Sequence, residues 1–491
     1  MRRLWMVIAL SFSFMTASIG YTQEIAEPAL PPTNQSPDLK KPAGLDPGLI
    51  ASGQAAFERN CTSCHDSGRS LQKQKSLGAW RRTVRRMAAM DDANVPSGDI
   101  ESIAVYLASR NSNGASNDTE SVLSKIEQDI SESDISLFGT VSPLWRGGSP
   151  TLQNNGFFPQ LFLGAAWEKG AFSVKATACT SCHGAGEDPG FLNRIDLLNA
   201  SVRVDIGKLL YGECTREWQL SLEGGRLVVP FGAFASQVNP GVYRTVSMPL
   251  IYNMGQRVRD DDLGDPVLPM PYSDEGLNVA GSVALIDFGG SDVINLSYDF
   301  YVVNGLNGNE EGIDFDRSRE LLDNNSNPAV GGRVTIGSRF LRLGSSVMGG
   351  RFSDNPGLQR LNYLIYGFDA VARYENLLRF QFEYAQRNTD TLPAADIFTE
   401  KVSGYYFELE GRLCNESKLS ALARWDHQNR NNSPPDTVLD PTLGFATTRF
   451  TYGLNYAVSS NSLLMVNHEI WMLPQHQPHI DVFGVRYSLT F

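Results

Sequence analysis

Across residues 133–491 apolar and polar side chains alternate one by one in runs of roughly 10 to 14 residues, and a helix cannot satisfy a period of two. The last run is the clearest: Phe483, Val485, Tyr487, Leu489 and Phe491 alternate with Gly484, Arg486, Ser488 and Thr490. Ala200, Val202, Val204 and Ile206 alternate with Ser201, Arg203 and Asp205. Phe380, Phe382 and Tyr384 alternate with Arg379, Gln381 and Glu383, and Phe407 and Leu409 with Glu408 and Glu410. Each run has one apolar and one polar face and is long enough to cross a bilayer as a tilted strand. Sixteen runs read this way, from 134–145 to 480–491. Tight turns such as Tyr374-Glu375 and Ser459-Ser460 alternate with long segments such as 231–277, 304–328 and 428–442. The expected fold is therefore a C-terminal transmembrane antiparallel β-barrel of about 16 strands, with short turns in the periplasm and long loops outside. The stretch 243–252 leaves about 14 or 18 strands open, and a soluble β-sandwich is the competing fold.

The part before the barrel divides into four. Met1-Arg2-Arg3, an apolar run from Leu4 to Ala17 and small residues through Gly20 read as a secretory signal peptide over 1–22. Residues 23–45 are a Pro-rich linker, 46–110 a helical domain and 111–132 a polar, acidic linker. Beyond the N-terminus no run is apolar enough for a transmembrane helix. A net charge of −12 without a basic stripe excludes nucleic acid as a partner.

Export makes disulfides the first reading of six cysteines, but four of them are spaced for other chemistry. Cys61-Thr62-Ser63-Cys64-His65 and Cys179-Thr180-Ser181-Cys182-His183 are the same C-x-x-C-H pentapeptide. Two thiols at this spacing add across the vinyl groups of haem, and the adjacent His is held beneath the iron as a metal ligand. The cofactor expected is covalently attached haem c, two per chain, through Cys61 and Cys64 with His65, and through Cys179 and Cys182 with His183. A redox dithiol is the alternative for a bare C-x-x-C and requires a βαβ context that neither site has. The second motif opens the loop 179–193, between the third and fourth predicted strands. Cys214 and Cys414 fall at short turns and are as readily free as paired.

Around the first motif the pattern is helical. Leu49 to Asn60 leads into it. In 79–90 Trp80, Val84 and Met87 share one face, with Arg81, Arg82, Arg85 and Arg86 opposite. Ile100, Ile103, Ala104 and Leu107 form a third stripe. With the motif, these helices make residues 46–110 resemble the class I cytochrome c family. That resemblance implies a small all-α domain whose iron takes a Met thioether as sixth ligand, Met87 here with Met90 as alternative. Core packing is the other use of a methionine at helical spacing.

A chain ending on an aromatic in an alternating strand resembles bacterial outer-membrane barrels. The order of signal peptide, C-x-x-C-H domain and barrel resembles the outer-membrane fused cytochrome–porins of iron-oxidising bacteria. Those proteins as a rule have one haem, and this chain has two motifs. The resemblance implies electron transfer across the bacterial outer membrane, between an extracellular donor or acceptor and periplasmic cytochromes or other carriers. The cytochrome domain would then lie in the periplasm or the barrel lumen. Two alternatives stand beside it: a solute-conducting porin with an accessory cytochrome, and a haem oxidoreductase with an open iron. The order of strands brings His476 and His479 near the second motif as distal-ligand candidates, ahead of His427. The acidic stretches 259–262 and 310–316 offer charge for extracellular metal ions such as Fe(II), beside their ordinary role as solvated loops.

Overall fold

The structure is a computed structural model. It describes residues 47–61, 77–88, 95, 97–110, 135–150, 155–180, 195–211, 218–253, 258, 266–287, 293–309, 312–315, 317–319, 325–353, 361–375, 377–392, 398–414, 417–431, 446–459, 461–473 and 478–491. The signal peptide, both linkers, Cys64, His65, Met90, Cys182, His183, Cys214 and His476 lie outside the described residues.

Three helices precede the sheet: α1 (Pro47–Asn60), α2 (Leu77–Ala88) and α3 (Ser97–Ser109). Their apolar stripes meet in one core of Ala56, Phe57, Trp80, Val84, Ile103, Ala104 and Leu107, with Phe57 against Tyr106 at 5.6 Å. Helix α3 is central and packs against both α1 and α2. Gly53 makes the first crossing possible, because a Cβ there would overlap the Ser102 carbonyl. Polar clamps finish the unit. Asn60 donates to Asp99 at 2.9 Å, and Arg81 grips Glu101 through Nε at 2.8 Å and Nη2 at 2.6 Å. Helix α2 also touches the first strand of the barrel.

The barrel strands are β1 (Ile135–Gly148), β2 (Gly156–Lys169), β3 (Phe172–Thr180), β4 (Ile195–Asp205), β5 (Trp218–Val228), β6 (Ser273–Asp287) and β7 (Val293–Val303). A short hairpin follows, β8 (Gly308–Asn309) with β9 (Gly312–Ile313). The barrel continues through β10 (Ala329–Gly337), β11 (Leu341–Arg351), β12 (Asn362–Tyr374), β13 (Leu378–Thr391), β14 (Phe398–Arg412) and β15 (Leu419–Asn431). It ends with β16 (Ala446–Ser459), β17 (Ser462–Met472) and β18 (Ile480–Thr490). Each strand is antiparallel to its neighbours, and β18 returns to pair with β1, closing a barrel of all strands except β8 and β9. Sixteen strands are thus present among the described residues, as the alternation predicts. Lumenal hydroxyls face one another along the seam, Ser142 with Ser488 at 2.8 Å and Thr140 with Thr490 at 3.3 Å.

The alternation sorts side chains as the sequence requires. Outward residues such as Val141, Trp145, Leu364, Phe368, Leu409, Phe483 and Val485 are large, apolar and exposed, forming the belt that a hydrocarbon layer covers. Inward positions are mostly polar, as at Ser142, Gln381 and Glu383, with apolar ones such as Met348, Ile365 and Val402 among them. Strand β4 ends before Ile206, which the alternation counts within the run. It stops at Asp205, whose carboxylate accepts the Lys208 amide at 2.8 Å and starts the short helix α4 (Ile206–Tyr211).

The segment after β5 goes the other way from its expected course. Residues 231–277 read as an outer loop, yet β5 ends at Val228, β6 begins at Ser273, and the chain between them folds into the lumen. The physical reason is composition: Phe231, Phe234, Val238, Tyr243, Met248, Ile251, Tyr252, Leu268 and Met270 are all at most 4% exposed, and water would not hold such a chain open. The stretch 243–252, where more strands were possible, belongs to this segment and forms none.

Candidate functional site

The lumenal segment meets the wall in two zones. The first is apolar. Val229, Phe231, Phe234, Ile251, Tyr252, Leu268 and Met270 pack on Tyr301, Met348, Tyr363, Ile365, Ala385 and Val402 of β7 and β11–β14. At its centre is the buried Glu383 carboxylate, which accepts from the Ala233 amide (3.0 Å), the Tyr406 hydroxyl (3.0 Å) and the Tyr252 hydroxyl. Gly232 lies so near that a Cβ there would overlap both Glu383 and Tyr252, and its φ of 69° is one that favours glycine.

The second zone is ionic. Arg424 and Arg449, both fully buried, share Asp426 at 3.0 Å each. Their other nitrogens hold the passing backbone: Arg424 donates to the Ser247 carbonyl (2.9 Å), and Arg449 to the Ser247 hydroxyl (2.7 Å) and the Met248 carbonyl (2.6 Å). Asp426 also accepts the Leu250 amide at 3.1 Å, and Asn467 accepts the Val246 amide at 2.6 Å. Farther along, Ser488 donates to the Pro240 carbonyl at 2.8 Å. The segment therefore spans the lumen from β5 to β18.

This seating divides the lumen. In the loop-side half, inward residues are buried on every side: Gln160, Asn199, Tyr301, Met348, Arg387, Asp426 and Trp471 are all at most 7% exposed. In the termini-side half the wall from β3 to β10 keeps solvent, with Arg203 exposed and Lys175, Glu223, Ser297 and Asp299 half-buried. The arrangement is a polar vestibule ending at a plug.

Asp426 is the acid on which the ionic zone turns. Asp426→Ala leaves two buried guanidiniums without their shared counter-charge, and losses of this kind run to about 3–5 kcal/mol. We expect a matching fall in the denaturant midpoint of the detergent-solubilised chain. A loss within the range of an ordinary surface substitution would show that the ladder does not hold the segment.

The cysteine motifs are only partly described. Cys61 follows α1, half-buried and packed against the three-helix core, and its amide donates to the Phe57 carbonyl at 2.9 Å. Met87 lies on α2, half-buried, and is not among the residues of that core. A thiol at a helix end and a thioether on a neighbouring helix are of the chemical types that a covalent haem takes.

Cys179, near the loop-side end of β3, pairs with Phe162 and Asp196 and so shares the lumenal face. It is 1% exposed and disulfide-bonded. Haem attachment there needs that disulfide reduced, since a thioether requires the thiol. The Nε2 of His479 lies 3.4 Å from Asp481, on the outward face of β18. His468, whose facing the alternation left undecided, is outward too. Its ring stacks on Phe483 at 4.3 Å and lies within hydrogen-bond distance of the Tyr452 hydroxyl (2.6 Å) and Asp481 (2.9 Å). His427 is likewise outward, bonded to the Thr448 hydroxyl at 3.0 Å. Cys414 is exposed and free at the β14–β15 turn. Of the acidic stretches only Asp314 and its neighbours are described, and Asp314 pairs with Arg317. Among the described residues no group of three His, Cys, Asp or Glu side chains is arranged to hold a metal.

Sequence reasoning missed Glu383, Arg424, Asp426 and Arg449. Each is a charged residue at an inward position of a run, and alternation alone marks those as water-facing.

No protein-family description matches the chain, and no curated protein matches it. Solved outer-membrane proteins are similar to it in fold. The Salmonella typhi OmpF complex with daunomycin is 11% identical with a TM-score of 0.48, over 73% of this chain and 97% of that one. The anion-selective porin from Comamonas acidovorans is 11% identical with a TM-score of 0.45, over 73% and 99%. Pseudomonas putida OprB in its high-pH structure is 8% identical with a TM-score of 0.45, over 75% and 97%.

Proposed function

We propose that this chain is a porin-class barrel of the bacterial outer membrane, a channel constricted by its own 229–272 segment, with a haem-bearing unit before it. The observation that carries the channel reading is the polar vestibule from β3 to β10, leading to a segment that crosses the lumen. A sixteen-stranded barrel is wide enough for an aqueous path, and the segment sets how much of it stays open. Recording ion conductance in planar bilayers tests this: small conductance from the intact chain supports it, and conductance unaffected by removal of the segment rejects it.

The N-terminal unit is proposed to hold haem c through Cys61 and Cys64, with His65 and Met87 at the iron. Bound there, haem supplies one-electron chemistry, with a thioether ligand raising the potential and closing the iron to small molecules. The chain's part is to fix the thiols at the end of α1 and to present Met87 from α2. In Met87→Ala we expect carbon monoxide to bind readily and the thioether-to-iron absorption to vanish, with Met90→Ala unchanged. The reverse pattern would make Met90 the ligand.

A second reading is electron transfer between an extracellular donor or acceptor and periplasmic carriers. One observation favours it. The second C-x-x-C-H motif begins on the lumenal face at the rim away from the chain's entry into β1, so two haems would stand at different depths. Reduction of the haem in sealed proteoliposomes by an external, impermeant donor tests it; failure of reduction with both haems present rejects it.

A further inference from the structure

Two adjacent buried cations of the barrel wall form no ion pair among the described residues, and Glu469 is an acid whose charge reaches both. Arg146 on β1 and Arg486 on β18 are diagonal neighbours on the lumenal face, because Leu144 pairs with Arg486 and Arg146 with Gly484. Both are at most 1% exposed. Arg486 stacks over the Tyr243 ring at 4.5 Å and donates to the carbonyls of Thr245 (3.4 Å) and Val246, while its Nε has no partner. Among the described residues Arg146 makes no ion pair, and its Nε and Nη2 are buried without an acceptor.

The surrounding acids do not answer this need. Glu469 is within electrostatic range of both arginines, but one oxygen accepts from the Ser247 hydroxyl and the other from the Trp471 ring nitrogen at 3.0 Å. Asp426 is taken by Arg424 and Arg449, and Glu408 by Arg379 at 2.6 Å. Leu144, Val246 and Met465 close the place from one side. Val246 packs on Gly484, where a Cβ would not fit beside it. Two adjacent guanidiniums kept from water, with one carboxylate shared between them and Arg449, are unfavourable unless something more negative joins them.

We propose that Arg146 and Arg486 together hold a small inorganic oxyanion of the sulfate or phosphate class, enclosed between β1, β18 and the Thr245–Val246 turn. The orphaned donors are guanidinium N–H groups, whose flat fork suits the spaced oxygens of such an ion better than a single halide. The ion is a structural one. It joins the wall to the lumenal segment, so it binds only when the segment is seated, and seating and binding strengthen each other. This does not depend on whether the barrel conducts solute or electrons.

The test is thermal unfolding of the full chain in detergent, with millimolar phosphate or sulfate against chloride at matched ionic strength, beside calorimetric titration with inorganic phosphate. The wild-type chain is expected to gain a saturable rise in unfolding temperature that R146M and R486M lack. R146M should also be the more stable protein in chloride, because an unpaired buried charge is gone. R146K keeps a charge without the fork and should bind phosphate at least tenfold more weakly, which stands as the readout if R146M does not assemble. A wild type with no saturable response overturns the proposal. So does an equal rise in wild type and R146M, which would be the general effect of excluded salts.

Discussion

Excising residues 233–268 and bridging the gap with a short Gly/Ser linker will raise single-channel conductance several-fold over that of the intact chain. The segment is the stretch that reaches from β5 to β18, whereas the chain around Leu306 and Phe315 reaches β13, and a less filled barrel of sixteen strands encloses a wider aqueous bore. The strands should still close, because β5 pairs with β6 and β18 with β1 independently of the segment. Stability should fall, since Glu383, Asp426, Arg424 and Arg449 lose partners on the segment. Heat-modifiable migration confirms that the variant is assembled, and planar-bilayer recording gives the conductance. An assembled variant that stays closed would mean that the plug lies elsewhere, and the channel reading would go with it.

The second large effect concerns haem. In C61A/C64A the N-terminal unit should lose its covalent haem completely, because no thioether can form without a thiol. Peroxidase staining of the denatured chain and the mass of the intact protein report this directly. Under the electron-transfer reading the wild type has two haems, and both C61A/C64A and C179A/C182A fall to one. A wild type with one haem, unaltered by C179A/C182A, removes that reading and leaves the channel with a single haem unit. The Cys179 disulfide then becomes the settled form of the second motif.

The barrel was legible because alternation is a local property with a global consequence. Phe483 to Phe491 or Phe380 to Tyr384 states, residue by residue, which side meets lipid, and pairing through adjacent strands repeats the statement. The helices of 47–109 were legible for the same reason at a different period: Trp80, Val84, Ile103 and Leu107 are buried where their spacing puts them. The lumenal plug was harder to see. Residues 229–272 have no period, so length and position made them an outer loop, although the density of Phe, Tyr, Ile and Met was a signal that water would not hold them. The candidate haem residues were legible as a motif only, since a C-x-x-C-H spacing specifies covalent chemistry without specifying what surrounds it.

What the chain determined by itself was the element type and facing of each segment, because period and side-chain polarity act within a few residues. Only the tertiary structure decided where the inward charges find their partners. Whether Arg424 meets Asp426, or Arg146 is left without an ion pair among the described residues, depends on register between strands and on a segment that arrives from the other side of the lumen, and neither is encoded in any one stretch of sequence.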